Sequence, residues 1–338
     1  NRPIVLVVGL NYYLIYEILN QIGFKINNLF SEESNSPQPS TEKIIFELNA
    51  IRPDVLILSQ PSNPSGEIIA AKDLQRIYET CGNTNTYLVL DRVCADLELK
   101  DNAHFTQDFF TKGIIEDRLA IIDGITKRRS CSGIRIAFVL GSSVLMDYID
   151  YCNETMIFYP PFLGIKIMIV EYLFQAIVKQ MDHEKQSSEI ALENTIIAIA
   201  ELAEKISQEG KFREIIGEII SIPHENFNIY MRETKNVKKI ILENQTFFVA
   251  QLKDFLVSAT NIQSGFSFAV MFKNEKGLTQ EYFCGDIYKN VGVHLYPDVY
   301  FGNLQHEIDH KFWVRIGCAL PKNVFCEGVK RLCNYFKE

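Results

Sequence analysis

Apolar and polar positions alternate along this chain in blocks. Ile4 to Val8 is apolar throughout, as a strand covered on both faces must be. Tyr12 to Gln21 then carries apolar residues at helical spacing, and Gly23 ends it. Lys25 to Phe30 is a second strand candidate. Ser31 to Ser40, rich in Ser, Pro, Glu and Asn, is a loop, and Ser40-Thr-Glu opens a helix over 41 to 51. The run Asp54 to Ser59 predicts a buried strand, Pro61 to Gly66 a turn, 71 to 80 a helix, and Tyr87 to Leu90 a strand ending on Asp91. Leu119 to Ile122 and Ile136 to Leu140 predict two more buried strands.

Strands alternating with helices predict an α/β fold, a large domain with a mostly parallel sheet flanked by helices. Beyond Pro160 the pattern changes. Phe162 to Gln180 is an apolar helix, and 185 to 220 are charge-studded helical segments with Ile196, Ile199, Leu202 and Ile206 at spacings of three and four. Residues 222 to 240 look polar and irregular. A smaller C-terminal α+β domain follows: helix 242 to 256, strand Phe266 to Phe272, helix 278 to 289, strands near Val293 and at Trp313 to Cys318, and a helix over 321 to 337. The expected division is a large domain over 1–184, a helical connector over 185–240 and a small domain over 241–338.

Composition narrows the possible functions. The 338 residues suffice for two domains, and 47% hydrophobic with 22% charged residues is ordinary for a globular protein. A net charge of −8 argues against a protein that works on nucleic-acid backbone. No apolar run approaches a membrane span. The eight cysteines form no Cys-x-x-Cys pair, which fits free thiols in a reducing cytoplasm and no zinc site.

The candidate chemistry lies past strand ends, where open α/β sheets collect ligands. Asn63, Asp91 and Lys127 each fall at or beyond such an end. A buried lysine with neighbouring cations can act covalently on carbonyls, whereas Lys127-Arg-Arg129 can equally be a solvated basic turn. His306-Glu-Ile-Asp-His310 matches a zinc-hydrolase pattern, but it sits between Phe301-Gly-Asn303 and a β-like run, not on a long apolar helix.

In chain order, several of these elements resemble the class I/II aminotransferase group of fold-type I enzymes that use pyridoxal 5′-phosphate (PLP). They are Asn63-Pro-Ser-Gly66, Asp91 at a strand end, Thr126-Lys127 with Gly133-Ile-Arg135, the run Gly292 to Gly302, and Phe312-Trp-Val-Arg315-Ile-Gly317. The resemblance implies that Lys127 holds PLP as a Schiff base and shuttles the substrate's α-proton. It implies that Asp91 pairs with the pyridine nitrogen, that Asn63 bonds the phenolic oxygen, and that Thr126 and Arg135 grip the phosphate. Arg315 would take the α-carboxylate of an amino acid. Tyr13 would lie against the cofactor ring. Each also has an ordinary structural reading: capping Asp, turn-forming Asn, salt-bridged Arg, core aromatic.

The activity implied is transamination of an amino acid to a 2-oxo acid, in a homodimer. Three departures stand out. Asp91-Arg-Val-Cys94 replaces the family's Asp-Glu-x-Tyr and so loses a donor to the phenolic oxygen, Gly124 stands where a serine is common, and 185–240 is longer than usual. The first of these keeps a PLP-dependent lyase, cyclase or oxidase open. The glycine-rich phosphate loop usually precedes the first strand seen here, so an N-terminal part of the large domain is expected ahead of Asn1, and a degenerate binding protein is the further alternative.

Overall fold

The computed structural model describes residues 2–31, 35–95, 99, 117–127, 129–157, 162–184, 190, 194, 197, 224–302 and 311–337. The chain forms two compact units: residues 1–123, 137–157 and 238–338 make the first, and 124–136 with 158–237 the second.

The first unit contains two sheets. In chain order it opens with β1 (Ile4–Val8), α1 (Tyr13–Gln21), β2 (Lys25–Leu29), α2 (Thr41–Ile51), β3 (Val55–Ser59), α3 (Ala71–Thr84), β4 (Tyr87–Asp91) and β5 (Leu119–Asp123). With β6 (Phe138–Leu140) these strands make one sheet in the order β2-β1-β3-β4-β5-β6. All pairings are parallel except β5 with β6. Side-chain alternation sorts the two faces. Leu6 and Val8 pack with Ile44, Leu48, Leu74 and Ile77 of α2 and α3, while Val5 and Val7 pack with Leu19 of α1. Ser40 caps α2, its hydroxyl accepting from the Lys43 amide at 3.3 Å, as Ser-Thr-Glu implied. β6 is not the buried strand expected. It lies at the sheet edge, where Leu140 is 46% exposed, because an edge strand has a neighbour on one side only. Helix α4 (Ser143–Cys152) follows it.

The smaller sheet has the order β7-β8-β10-β9, all antiparallel, with β7 (Leu256–Ala259), β8 (Ser267–Phe272), β9 (Tyr296–Pro297) and β10 (Val314–Gly317). Every residue of β8 is buried. Phe268, Val270 and Phe272 pack with Phe283 and Ile287 of α7 (Gln280–Val291) and with Val329 and Leu332 of α8 (Lys322–Lys337). On the other face Ala269 and Met271 meet Leu10, Phe301 and Trp313. Both faces are covered, so alternation gives way to a continuous apolar run.

In the second unit α5 (Phe162–Glu184) packs on the start of α6 (His224–Leu252), Phe174 standing edge-on to Phe227 and Tyr230 at 5.4 and 5.0 Å. The 29-residue α6 corrects the irregular segment expected over 222 to 240. Its Lys, Glu and Arg residues are good helix formers on a mostly exposed face, and a sparse stripe including Phe227 and Ile241 is enough to hold it. The helix stops at Leu252, so 256–259 are strand rather than the helix end expected, and the strand near Val293 lies at Tyr296–Pro297. The segments expected over 185 to 220, almost wholly, and the His306 to His310 motif lie outside the described residues. No helix of the described residues is long and apolar enough to cross a membrane.

Candidate active site

The expected site residues divide between the units. Tyr13, Asn63, Asp91 and Arg315 belong to the first, and Thr126, Lys127 and Arg135 to the second.

In the first unit β1 is flanked by β2 on one side and β3 on the other, so the loops leaving β1 and β3 part company at their carboxyl ends. Buried Asn11 spans that divide: its Oδ1 accepts from Ser59 Oγ at 2.6 Å and its Nδ2 donates to Val8 O at 3.0 Å. Asp91 pairs with Ser59 across β3 and β4, and its Oδ1 accepts from the Val93 amide at 3.0 Å.

The Asn63 to Gly66 turn is tied to the smaller sheet from several directions. Ser267 Oγ donates to Pro64 O at 3.1 Å, Thr260 Oγ1 to Ser65 O at 2.9 Å, and the Gln263 amide to Gly66 O at 2.9 Å. Gly66 has φ +70, and a Cβ there would stand 2.7 Å from Ser267 O, so this turn requires glycine. Asn63 is held in place by its neighbours, yet its buried Oδ1 has no hydrogen-bond partner among the described residues. A buried amide oxygen left so is costly, and rotating the amide exchanges Oδ1 with Nδ2.

Arg315, on β10, is covered by aromatic rings, its guanidinium carbon lying 5.1 Å from the Tyr296 centroid and 5.5 Å from that of Phe301. Burial lowers its pKa, against the opposing influence of Tyr296 and Cys94. No carboxylate among the described residues pairs with it. Cys94 is buried within electrostatic reach of Arg315. Phe301 O accepts from the Asn11 amide at 3.1 Å and from Tyr16 Oη at 3.1 Å, which joins the β1–α1 turn to the Arg315 surroundings. Tyr13 on that turn is half-exposed and packs edge-on against Tyr12 at 4.8 Å.

In the second unit the loop leaving β5 carries Thr126 and Lys127. Its backbone closes twice, Arg129 N on Ile125 O and Cys131 N on Thr126 O, each at 3.1 Å. Lys127 is exposed and makes no hydrogen bond or ion pair among the described residues. Thr126 Oγ1 reaches Ile136 O at 3.5 Å, and exposed Arg135, at φ 54, donates to Ser132 O at 3.5 Å. Sequence reasoning overlooked Arg129, whose Nε donates to buried Glu171 at 2.6 Å. The signal lay only at the partner, since Glu171 is the single acid between Phe162 and Gln180, while nothing local marks the arginine.

The family model for aminotransferase class I and II matches residues 3–332. Histidinol-phosphate aminotransferase 1 of Bordetella parapertussis is 27% identical over 105 residues, 31% of this chain and 27% of that enzyme. The histidinol-phosphate aminotransferase of Clostridium kluyveri is 24% identical over 220 residues, 64% of this chain and 55% of that enzyme. The matches thus span from about a quarter to about half of those relatives' lengths. Among solved structures, an aminotransferase from Mycobacterium tuberculosis superposes with a TM-score of 0.70 at 16% identity, covering 99% of this chain and 70% of that one.

Proposed function

The chain belongs to the class I and II aminotransferase family, and from that premise we propose that it serves a PLP-dependent aminotransferase that converts an amino acid to a 2-oxo acid. The observation that carries this reading is Arg315, desolvated under two rings with no carboxylate partner among the described residues. A planar, always-charged fork so held suits the carboxylate that every amino acid presents.

The first unit fits the cofactor. Asn63 has a buried amide atom whose partner the described protein does not supply. When bound, PLP supplies an electron sink for charge developing at the substrate's α-carbon. Asp91, at the end of β4, is the carboxylate for the ring nitrogen, and Asn63 offers its amide to the phenolic oxygen. Thr126 and Arg135 serve the phosphate, and Tyr13 the ring face. Lys127 is the covalent anchor and the base that moves the α-proton. Arg315 orients the amino acid, and the rings of Tyr296 and Phe301 limit water around its guanidinium.

A homodimer agrees with the apolar stripe that Leu14 and Ile18 of α1, with Ile22 just past its end, expose. Eight free cysteines agree with a reducing, cytoplasmic setting.

The test is a titration of the protein with PLP, followed by addition of amino acids. A visible absorption band that Lys127→Ala removes, and that an amino acid converts with release of a 2-oxo acid, supports the reading. No lysine-dependent band sinks it. Products formed without any 2-oxo acid sink transamination alone.

A further inference from the structure

Two residues beyond Lys127, the side chain of Arg129 turns into the second unit and closes a partly buried polar network around buried Glu171. Its Nε donates to Glu171 Oε2 at 2.6 Å and its Nη1 to Thr234 Oγ1 at 3.1 Å. Its guanidinium carbon lies 4.1 Å from the Tyr230 ring centroid. Glu171 is the hub. Its other oxygen accepts from Gln175 Nε2 at 2.8 Å and from Tyr230 Oη at 3.1 Å. The Thr234 hydroxyl in turn donates to Tyr230 O at 2.8 Å. Burial opposes the Arg129 charge, but the hydrogen bond and charge of Glu171, together with Tyr230, outweigh it and the guanidinium pKa ends raised.

A charged pair in this setting is expensive to desolvate, and replacing it with apolar side chains often costs no stability. Holding the helices together does not by itself require such a pair. Geometry supplies another role. The Arg129 amide closes the turn around Lys127 by bonding Ile125 O, so its side chain joins that turn to α5 and α6 together. A fork with a stacked face fixes both position and direction, as a lysine's point charge would not.

We propose that Arg129 is a positioning residue that, through Glu171, Tyr230 and Thr234, holds the Lys127 turn in one arrangement. The inference rests on the reading of Lys127 as the cofactor-bearing lysine.

Two measurements test it. The first is amide exchange at residues 129 and 131 in the full chain without PLP, in wild type, Arg129→Lys, and the double variant Arg129→Met/Glu171→Met. The double variant leaves no uncompensated buried charge, so its helices stay packed. Expected is exchange at least about tenfold faster in the double variant, with Arg129→Lys between the two. The second is the pH titration of the lysine-dependent PLP absorption, whose midpoint should move in the double variant while kcat falls about 100-fold and KM changes little. Unchanged exchange together with an unchanged titration midpoint overturns the proposal. So does an Arg129→Lys variant indistinguishable from wild type in both. A wild-type protein without any lysine-dependent band overturns the assignment of Lys127 instead, and the exchange result separates the two failures.

Discussion

Arg315 and Lys127 are set differently by their surroundings. Arg315 is desolvated and flanked by Tyr296 and Phe301, so any change there acts on a preformed environment. Arg315→Met is expected to raise the KM for an amino acid about 30-fold, equivalent to about 2 kcal/mol for a lost charged hydrogen bond. Its kcat should change less, and steady-state kinetics across amino acids checks the split. Lys127 is exposed on its loop, so its chemistry depends on where the loop holds it. Lys127→Ala should lower turnover by about 10²- to 10⁴-fold, measured as 2-oxo acid release. Residue types and their order along the chain are enough to nominate Asn63, Asp91, Lys127 and Arg315. They could not nominate Arg129, because nothing local distinguishes an arginine that turns inward to Glu171 from one that faces water.

At the scale of elements, the strands of the larger sheet other than β2 were legible because each is a short apolar run bounded by turn residues, whereas β2, at the sheet edge, carries Asn27 and Asn28. Helix α6 was not. Its polar stretch looked irregular because only a few of its residues, such as Phe227, Ile241 and Phe248, are deeply buried. The Asn63 to Gly66 turn is the element most dependent on long-range contacts, since Thr260, Gln263 and Ser267 all bond its carbonyls. Gly66→Ala should cost about 1–3 kcal/mol, because it combines a left-handed backbone with a Cβ driven at Ser267 O. Urea unfolding checks this, and a wild-type midpoint would refute it.

At the scale of the molecule, two properties follow from groups outside the candidate site. Burial raises the pKa of Glu67, outweighing the hydrogen bonds from Ser36 and Ser65 that lower it. The folded chain therefore binds that proton more tightly than the unfolded chain, and stability falls as pH rises from the ordinary value of 4.5 through the raised one. Glu67→Gln removes this loss, so its stability relative to wild type should grow across that window and level off above it. Urea midpoints at several pH values would show this, and parallel curves would contradict it. The exposed stripe of α1 and the adjoining Ile22 carries the second property. If a homodimer uses it, Ile18→Glu/Ile22→Glu should halve the mass measured by light scattering, and an unchanged mass would remove this face from the interface.

The sequence by itself determined the strand and helix order of the larger sheet and the order of the family's residues along the chain. Both are local facts, written in periodicity and in residue type at turns. Only the tertiary structure decided that Gly66 meets Ser267, that Cys94 lies within reach of Arg315, and that Arg129 is joined to Glu171. Those pairings link residues from 42 to more than 200 positions apart. They exist because distant segments share one packed interior, and burial there decides which polar groups must find partners.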